Sequence, residues 1–186
     1  AISAPGVTVG GTTAAAGNAI VGSATDAIAI TGLGSDNAVV QGNIIGLDRS
    51  FDEFLDNWGN GIVVGSGVSG TLIGGTAPGA GNLIAFSGLA DVNIGGTNTT
   101  MQGNTIGTDS TGNQIWSGMQ GGVVIGANAA NTLIGGTAPG ARNLITGIGG
   151  NVSAALFISG HDNRVEGNYI GVNAIGEAGA GNHTYG

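Results

Sequence analysis

Two segments of this 186-residue chain are near-verbatim copies: Ile73-Gly-Gly-Thr-Ala-Pro-Gly-Ala-Gly-Asn-Leu-Ile84 and Ile134-Gly-Gly-Thr-Ala-Pro-Gly-Ala-Arg-Asn-Leu-Ile145. A worn third copy, Val9-Gly-Gly-Thr-Thr-Ala-Ala-Ala-Gly-Asn-Ala-Ile20, lies upstream, so the starts at residues 9, 73 and 134 are 64 and 61 residues apart. Gly42-Asn-Ile-Ile-Gly46, Gly103-Asn-Thr-Ile-Gly107 and Gly167-Asn-Tyr-Ile-Gly171 keep the same beat. Repetition at a fixed period means one unit stacked on itself, and it constrains the fold more tightly than local propensity does. Apolar runs of three or four residues separated by Gly, Asn, Thr and Ser read as short strands joined by turns. Only Phe51 to Leu55 hints at a helical period.

The strands sort into three columns and six rungs. Column one starts at Ile2 and recurs at 28–30, 62–64, 92–94, 123–125 and 156–158; column two is expected at 7–9, 38–40, 71–73, 99–101, 132–134 and 163–165. Column three ends on Ile every time: Ile20, Ile45, Ile84, Ile106, Ile145 and Ile170. Two residues earlier stands Asn18, Asn43, Asn82, Asn104, Asn143 or Asn168. Residues two apart on a strand share a face. The Ile side chains are therefore expected to stack inside a solenoid, and the Asn amides to stack at a tight corner, bonding to the rungs above and below. Odd rungs carry the Gly-Gly-Thr loop between columns two and three, and even rungs the tight Gly-Asn corner followed by a long loop. One all-β domain over residues 1–186 is expected, in repeat units of roughly 1–60, 61–121 and 122–186. Six rungs would span roughly 29 Å.

Composition narrows the class. Glycine is frequent, 41 residues, but lacks the every-third pattern of collagen. There is no Lys, only Arg49, Arg142 and Arg164, and the net charge is −8, so the basic footprint of a nucleic-acid binder is missing. No apolar run is long enough for a membrane-spanning helix, so no membrane insertion is expected. Cysteine is absent. Asn98-Thr-Thr, Asn151-Val-Ser and Asn182-His-Thr match the glycosylation acceptor pattern, which Asn-rich turns also produce by chance.

The whole pattern resembles the right-handed parallel β-helix. Its Gly-Gly-Thr-Ala-Pro-Gly-Ala-Gly-Asn and Gly-Asn-x-Ile-Gly-Thr-Asp motifs resemble the repeats of large bacterial exoproteins, most sharply over residues 70–146. The Gln41-Gly-Asn43, Gln102-Gly-Asn104 and Glu166-Gly-Asn168 corners look like the Asn-bearing turn of pectate-lyase-like solenoids. The resemblance implies the hand of the coil and an extracellular or cell-surface setting. It also brings a superfamily of polysaccharide lyases, hydrolases and epimerases into consideration.

The residues give that chemistry little support. Lyase chemistry of the pectate type uses a strong cationic base, and three scattered Arg are a poor supply. Hydrolysis would need convergent carboxylates; His161 and Asp162 share one turn, with no Asp pair on neighbouring rungs. The loop 47–58 gathers Asp48, Asp52, Asp56 and Trp58, and the next unit places Asp109 and Trp116 similarly. These are candidate glycan or Ca²⁺ ligands, against the plainer reading of a solvated acidic face. No other cofactor is expected.

Outward strand positions are apolar: Val63, Val124 and Phe157 in column one, Leu72 and Leu133 in column two, and Ile44, Leu83, Leu144 and Tyr169 in column three. Apolar stripes on a surface mark contact with something else. The expectation is a non-enzymatic structural component of a fibre, sheath or stalk. Its partner would be itself, by end-to-end stacking of rungs and by lateral apolar contact. The alternative is a domain that binds or modifies polysaccharide.

Overall fold

The computed structural model describes residues 1–48, 55–115, 122–149, 154–178 and 181–182. It is a parallel β-solenoid of about five turns with no helix among those residues. Three parallel sheets form its faces. The column-two sheet stacks Thr8–Gly10, Val39–Gln41, Leu72–Gly74, Thr100–Gln102, Leu133–Gly135 and Arg164–Glu166. The column-three sheet stacks Ala19–Ile20, Ile44–Ile45, Leu83–Ile84, Thr105–Ile106, Leu144–Ile145 and Tyr169–Ile170. Column one has five strands, Ile28–Ile30, Ile62–Val64, Val92–Ile94, Val123–Ile125 and Leu156–Ile158. The sixth strand expected there, at Ile2, is reduced to an isolated bridge with Ile30, so the first rung is incomplete. Phe51–Phe54, where a helical period was hinted, lie outside the described residues, and Leu55 is not helical.

Register is set by side-chain alternation. Val40, Ile73, Met101 and Ile134 point inward in column two and are fully buried, as are Ile45, Ile84, Ile106 and Ile145 in column three. With Ile30, Val64, Ile94 and Ile125 they fill one continuous core. Each rung contributes one layer, and each layer is covered by the rungs on either side.

The column-two strands run one residue later than the sequence pattern suggests. Gly10, Gly74 and Gly135 therefore belong to the sheet and lie opposite Gln41, Gln102 and Glu166. These glycines have φ of +78° to +85°. A Cβ on any of them would strike the main-chain carbonyl and the Asn amide of the next rung, so only Gly fits.

A left-handed residue also marks the corner before column two in all six rungs: Gly6, Asn37, Gly70, Asn98, Asn131 and Asp162, at φ of +53° to +75°. Gly lacks the Cβ that opposes this conformation, and Asn or Asp tolerates it. Asp162 is thus the corner residue of its rung, and its contact with His161 follows from that place.

Candidate functional site

The asparagine column forms an unbroken hydrogen-bonded ladder. The Nδ2 of Asn18 donates to Oδ1 of Asn43, Asn43 to Asn82, Asn82 to Asn104, Asn104 to Asn143 and Asn143 to Asn168, all at 2.9–3.0 Å. Each main-chain N–H of the donor residue joins the same acceptor at 2.9–3.2 Å. The amides also donate sideways to column-two carbonyls, such as Asn82 to Val40 and Asn143 to Met101. The four central members are buried, and this network meets the hydrogen-bonding demand that their burial creates. These residues are structural, as their spacing suggests.

The ladder and the core both change at the sixth rung. On each face one of its inward residues stays open: Ile158, Val165 and Ile170 are 42%, 38% and 41% exposed. Their counterparts one rung earlier, Ile125, Ile134 and Ile145, are fully buried. At the opposite end Ile2, Val9 and Ile20 are only partly buried. The described part of the tail leaves Ile158, Val165 and Ile170 open: Asn182 lies beside Gly171 and accepts a bond at 3.1 Å from the Ile148 N–H of the fifth rung.

The flanks are less available than expected. Val63, Val124, Leu72, Leu133, Ile44, Leu83 and Tyr169 do point outward, but they are half-buried, and Leu144 is buried outright. Rungs about 4.8 Å apart let neighbouring side chains in a stripe shield one another. Polar residues also interrupt all three stripes at the fourth rung, where Asn93, Thr100 and Thr105 face out. Only Phe157 of the expected contact residues is well exposed, at 50%. It lies on the last rung. On the column-three face, the Arg142 guanidinium lies 3.9 Å from the Tyr169 ring centre.

The acidic loop residues do not converge. Asp109 is held by its own loop: its carboxylate accepts from the N–H groups of Thr111, Asn113 and Gln114 and from the Thr111 hydroxyl. Those bonds outweigh its partial burial and hold its pKa below the usual carboxylate value. One unit later Asn173 does the same work, accepting from the N–H groups of Ile175 and Glu177. An amide oxygen replacing a carboxylate there shows that the slot asks for an acceptor, not a charge. Asp48 sits in the equivalent half-buried slot of the first unit. Asp52 and Trp116 lie outside the described residues. Among the described residues no three His, Cys, Asp or Glu side chains come together as metal ligands.

Asp56 and Trp58 do share a place. With Asn57, Ser87 and Gly88 they line a cleft of about 250 Å³ on the corner after column three. Asn57 anchors it: buried, it accepts from the Ser23 N–H at 3.0 Å, while its own N–H donates to the Phe86 carbonyl. Trp58 is 75% exposed. Phe86 holds a left-handed φ of +53° where the equivalent positions are Gly22 and Gly147, an outlier for a bulky residue.

Behind the cleft is a buried acid that the sequence pattern did not single out. Asp91 occupies a position held by Gly61, Gly122 and Ala155 in neighbouring rungs. Burial pushes its pKa up to about 7, with the Gly122 N–H and the Ser87 hydroxyl and N–H pulling part-way back. Oδ2 accepts from Gly122 at 2.8 Å. The Ser87 hydroxyl lies against the carboxyl without good hydrogen-bond geometry, leaving Ser87 Oγ and Asp91 Oδ1 without partners among the described residues.

His161 and Asp162 are 2.9 Å apart, and both are exposed on the surface. No second carboxylate joins them in a metal-like group among the described residues. Of the glycosylation triplets, Asn98 is a corner residue donating to Ser69 Oγ, Asn182 is tied to Ile148, and Asn151 lies outside the described residues. Compared with models of known families, with curated proteins and with solved structures, the chain matches none of them.

Proposed function

We propose that this protein is a structural solenoid that associates end to end with copies of itself, as a building element of an extracellular fibre, sheath or stalk. The observation that carries the reading is the open core of the sixth rung, where one inward side chain per face is left about two-fifths exposed. A second copy whose first rung lies on this surface would cover Ile158, Val165 and Ile170 with Ile2, Val9 and Ile20. Such a head-to-tail contact is heterologous and propagates into a filament when it does not close. The half-buried flanks make lateral association the weaker contribution. The resemblance to pectate-lyase-like exoprotein repeats supports the extracellular setting. Asp26, Asp36, Asp109 and Glu166 are held by main-chain N–H groups or by an Arg, which fits a structural role for these acids.

Sedimentation velocity across a concentration series, with negative-stain electron microscopy, tests the proposal. Linear oligomers that Val165→Asp abolishes are the expected result. A concentration-independent monomer overturns it.

The cleft at Trp58 favours a second reading, polysaccharide binding. An exposed indole offers a flat apolar face to a pyranose ring, and the exposed Asp56 offers an acceptor. Quenching or enhancement of tryptophan fluorescence by added polysaccharides, lost in Trp58→Ala, would support it. An unchanged spectrum across neutral and acidic polysaccharides would remove it.

A further inference from the structure

The two internal junctions that resemble an end-to-end contact are those where an even rung meets the following odd one. In the first, the Gln41 Nε2 donates to the Gly74 carbonyl at 2.8 Å; in the second, the Gln102 Nε2 donates to the Gly135 carbonyl at 2.7 Å. The repeat spacing of 61 and 64 residues puts Glu166 in the third such position. Continuing the pattern into a second copy would bring Glu166 against the Gly10 carbonyl.

We propose that Glu166 sets the strength of this end contact, and that its ionised carboxylate weakens the docking of a second copy's first rung. The inference rests on the stacking reading above. An amide at this place donates to the incoming carbonyl. A carboxylate has no proton to give and meets that carbonyl with like partial charge, leaving both acceptors desolvated and unpaired.

The surroundings agree with this role. On its own strand Arg164 holds the carboxylate, with Nε 2.8 Å from Oε1 and Nη2 2.9 Å from Oε2. Arg164 stands where the other rungs have Thr8, Val39, Leu72, Thr100 and Leu133. The last rung thus carries a charge pair at a position that is uncharged elsewhere, a common way to blunt an exposed sheet edge. The preceding strand, Leu133–Gly135, contributes no ionisable group; Arg142 is turned to Tyr169 and the Gly167 carbonyl, and His161 and Asp162 pair with each other. On the incoming side, residues 1–25 contain no ionisable side chain. No side chain of that face can therefore neutralise Glu166, whose ionic partner among the described residues is Arg164 on its own strand.

The rest of the junction favours the same register. Among the described residues no group accepts from the Asn168 main-chain N–H, and none donates to the Asn18 Oδ1. A second copy would supply each with the other. The sixth rung is of the tight kind and the first of the looped kind, so the alternation continues in phase.

Sedimentation equilibrium of the full chain, its Glu166→Gln variant and its Val165→Asp variant provides the test, with circular dichroism showing that each is folded. Glu166→Gln is expected to tighten association about tenfold, the size of one good hydrogen bond replacing an unpaired acceptor. Unchanged association in Glu166→Gln, with Val165→Asp still disruptive, would overturn this inference and leave the stacking reading standing. Association that survives Val165→Asp, or a wild-type chain that stays monomeric at every concentration, would overturn the stacking reading itself.

Discussion

The fourth and sixth rungs occupy the same place in successive repeat units and share the Gly-Asn corner and the terminal Ile, yet their physical states differ. Met101 and Ile106 are fully buried, Asn104 both donates and accepts within the ladder, and Gln102 reaches the rung above. In the sixth rung Val165 and Ile170 are exposed, Asn168 only accepts from the ladder, and Glu166 turns to Arg164. The repeat motif determines that a rung forms; its neighbours determine how much that rung is worth.

Asparagine replacement should separate the two most widely. Asn104→Ala leaves the Asn82 N–H without its acceptor and removes one bond each from the Asn82 amide, the Asn143 Oδ1 and the Ile73 and Gln102 carbonyls, for an expected loss of about 4 kcal/mol. Asn168→Ala should cost about 1 kcal/mol, because only one side of its network is built. Urea unfolding midpoints measure both, and equal losses would erase the contrast between the rungs. Next come the core layers. Ile106→Ala should cost about 3 kcal/mol by leaving a cavity, and Ile170→Ala about 1 kcal/mol. If end-to-end assembly covers Ile170, its cost should rise with protein concentration while that of Ile106→Ala stays constant.

Among the described residues the largest pH dependence should come from Asp91 in the fourth rung. Between about pH 4 and pH 7 the folded chain keeps a proton on Asp91 that the unfolded chain has released, because the folded pKa is raised from 3.8 to about 7. The folded state then binds more protons, so stability falls as pH rises through this window, by about 4 kcal/mol, and stays reduced above it. Asp91→Asn keeps an acceptor for Gly122 and should flatten the profile. A wild-type midpoint that does not move between pH 5 and pH 8 would show that the carboxyl is not desolvated. The sixth-rung counterpart, Ala155, contributes no such slope. The smallest effect is expected at the corner before column two. Asp162→Gly should change stability by less than about 0.5 kcal/mol, while Asp162→Val, which resists the left-handed conformation, should cost about 1 to 2 kcal/mol. Thermal unfolding resolves the pair.

Much of this solenoid is legible in the chain because stacking repeats the same demand. Asn and Ile recur six times each in the third column since each rung faces the same corner and the same core. The Glu166 substitution was also visible, as the third member of the series Gln41, Gln102, Glu166, but its meaning needed the bonds from Gln41 and Gln102 to Gly carbonyls. Asp91 was harder to find. Nothing in Ala90-Asp91-Val92 announces burial, which comes from the Ser87 turn and the Gly122 backbone closing over the carboxyl. Asn57 and Asn182, which make equivalent contacts 125 residues apart, were obscured by irregular loops of different composition. Exposure along the flanking stripes is less legible: strand alternation gives the direction of a side chain, whereas exposure depends on the bulk of its neighbours above and below.

The ladder's links also bear on how such a chain can change over time. Consecutive asparagines are separated by 25, 39, 22, 39 and 25 residues, yet every link has nearly the same length. Vertical alignment is thus insulated from the length of chain in between. A loop can gain or lose residues without shifting the register of the layers, provided the corners survive. Diversification can therefore proceed at the loops while the spine stays unaltered, and a lineage could acquire new surface features by small insertions rather than by rebuilding the fold.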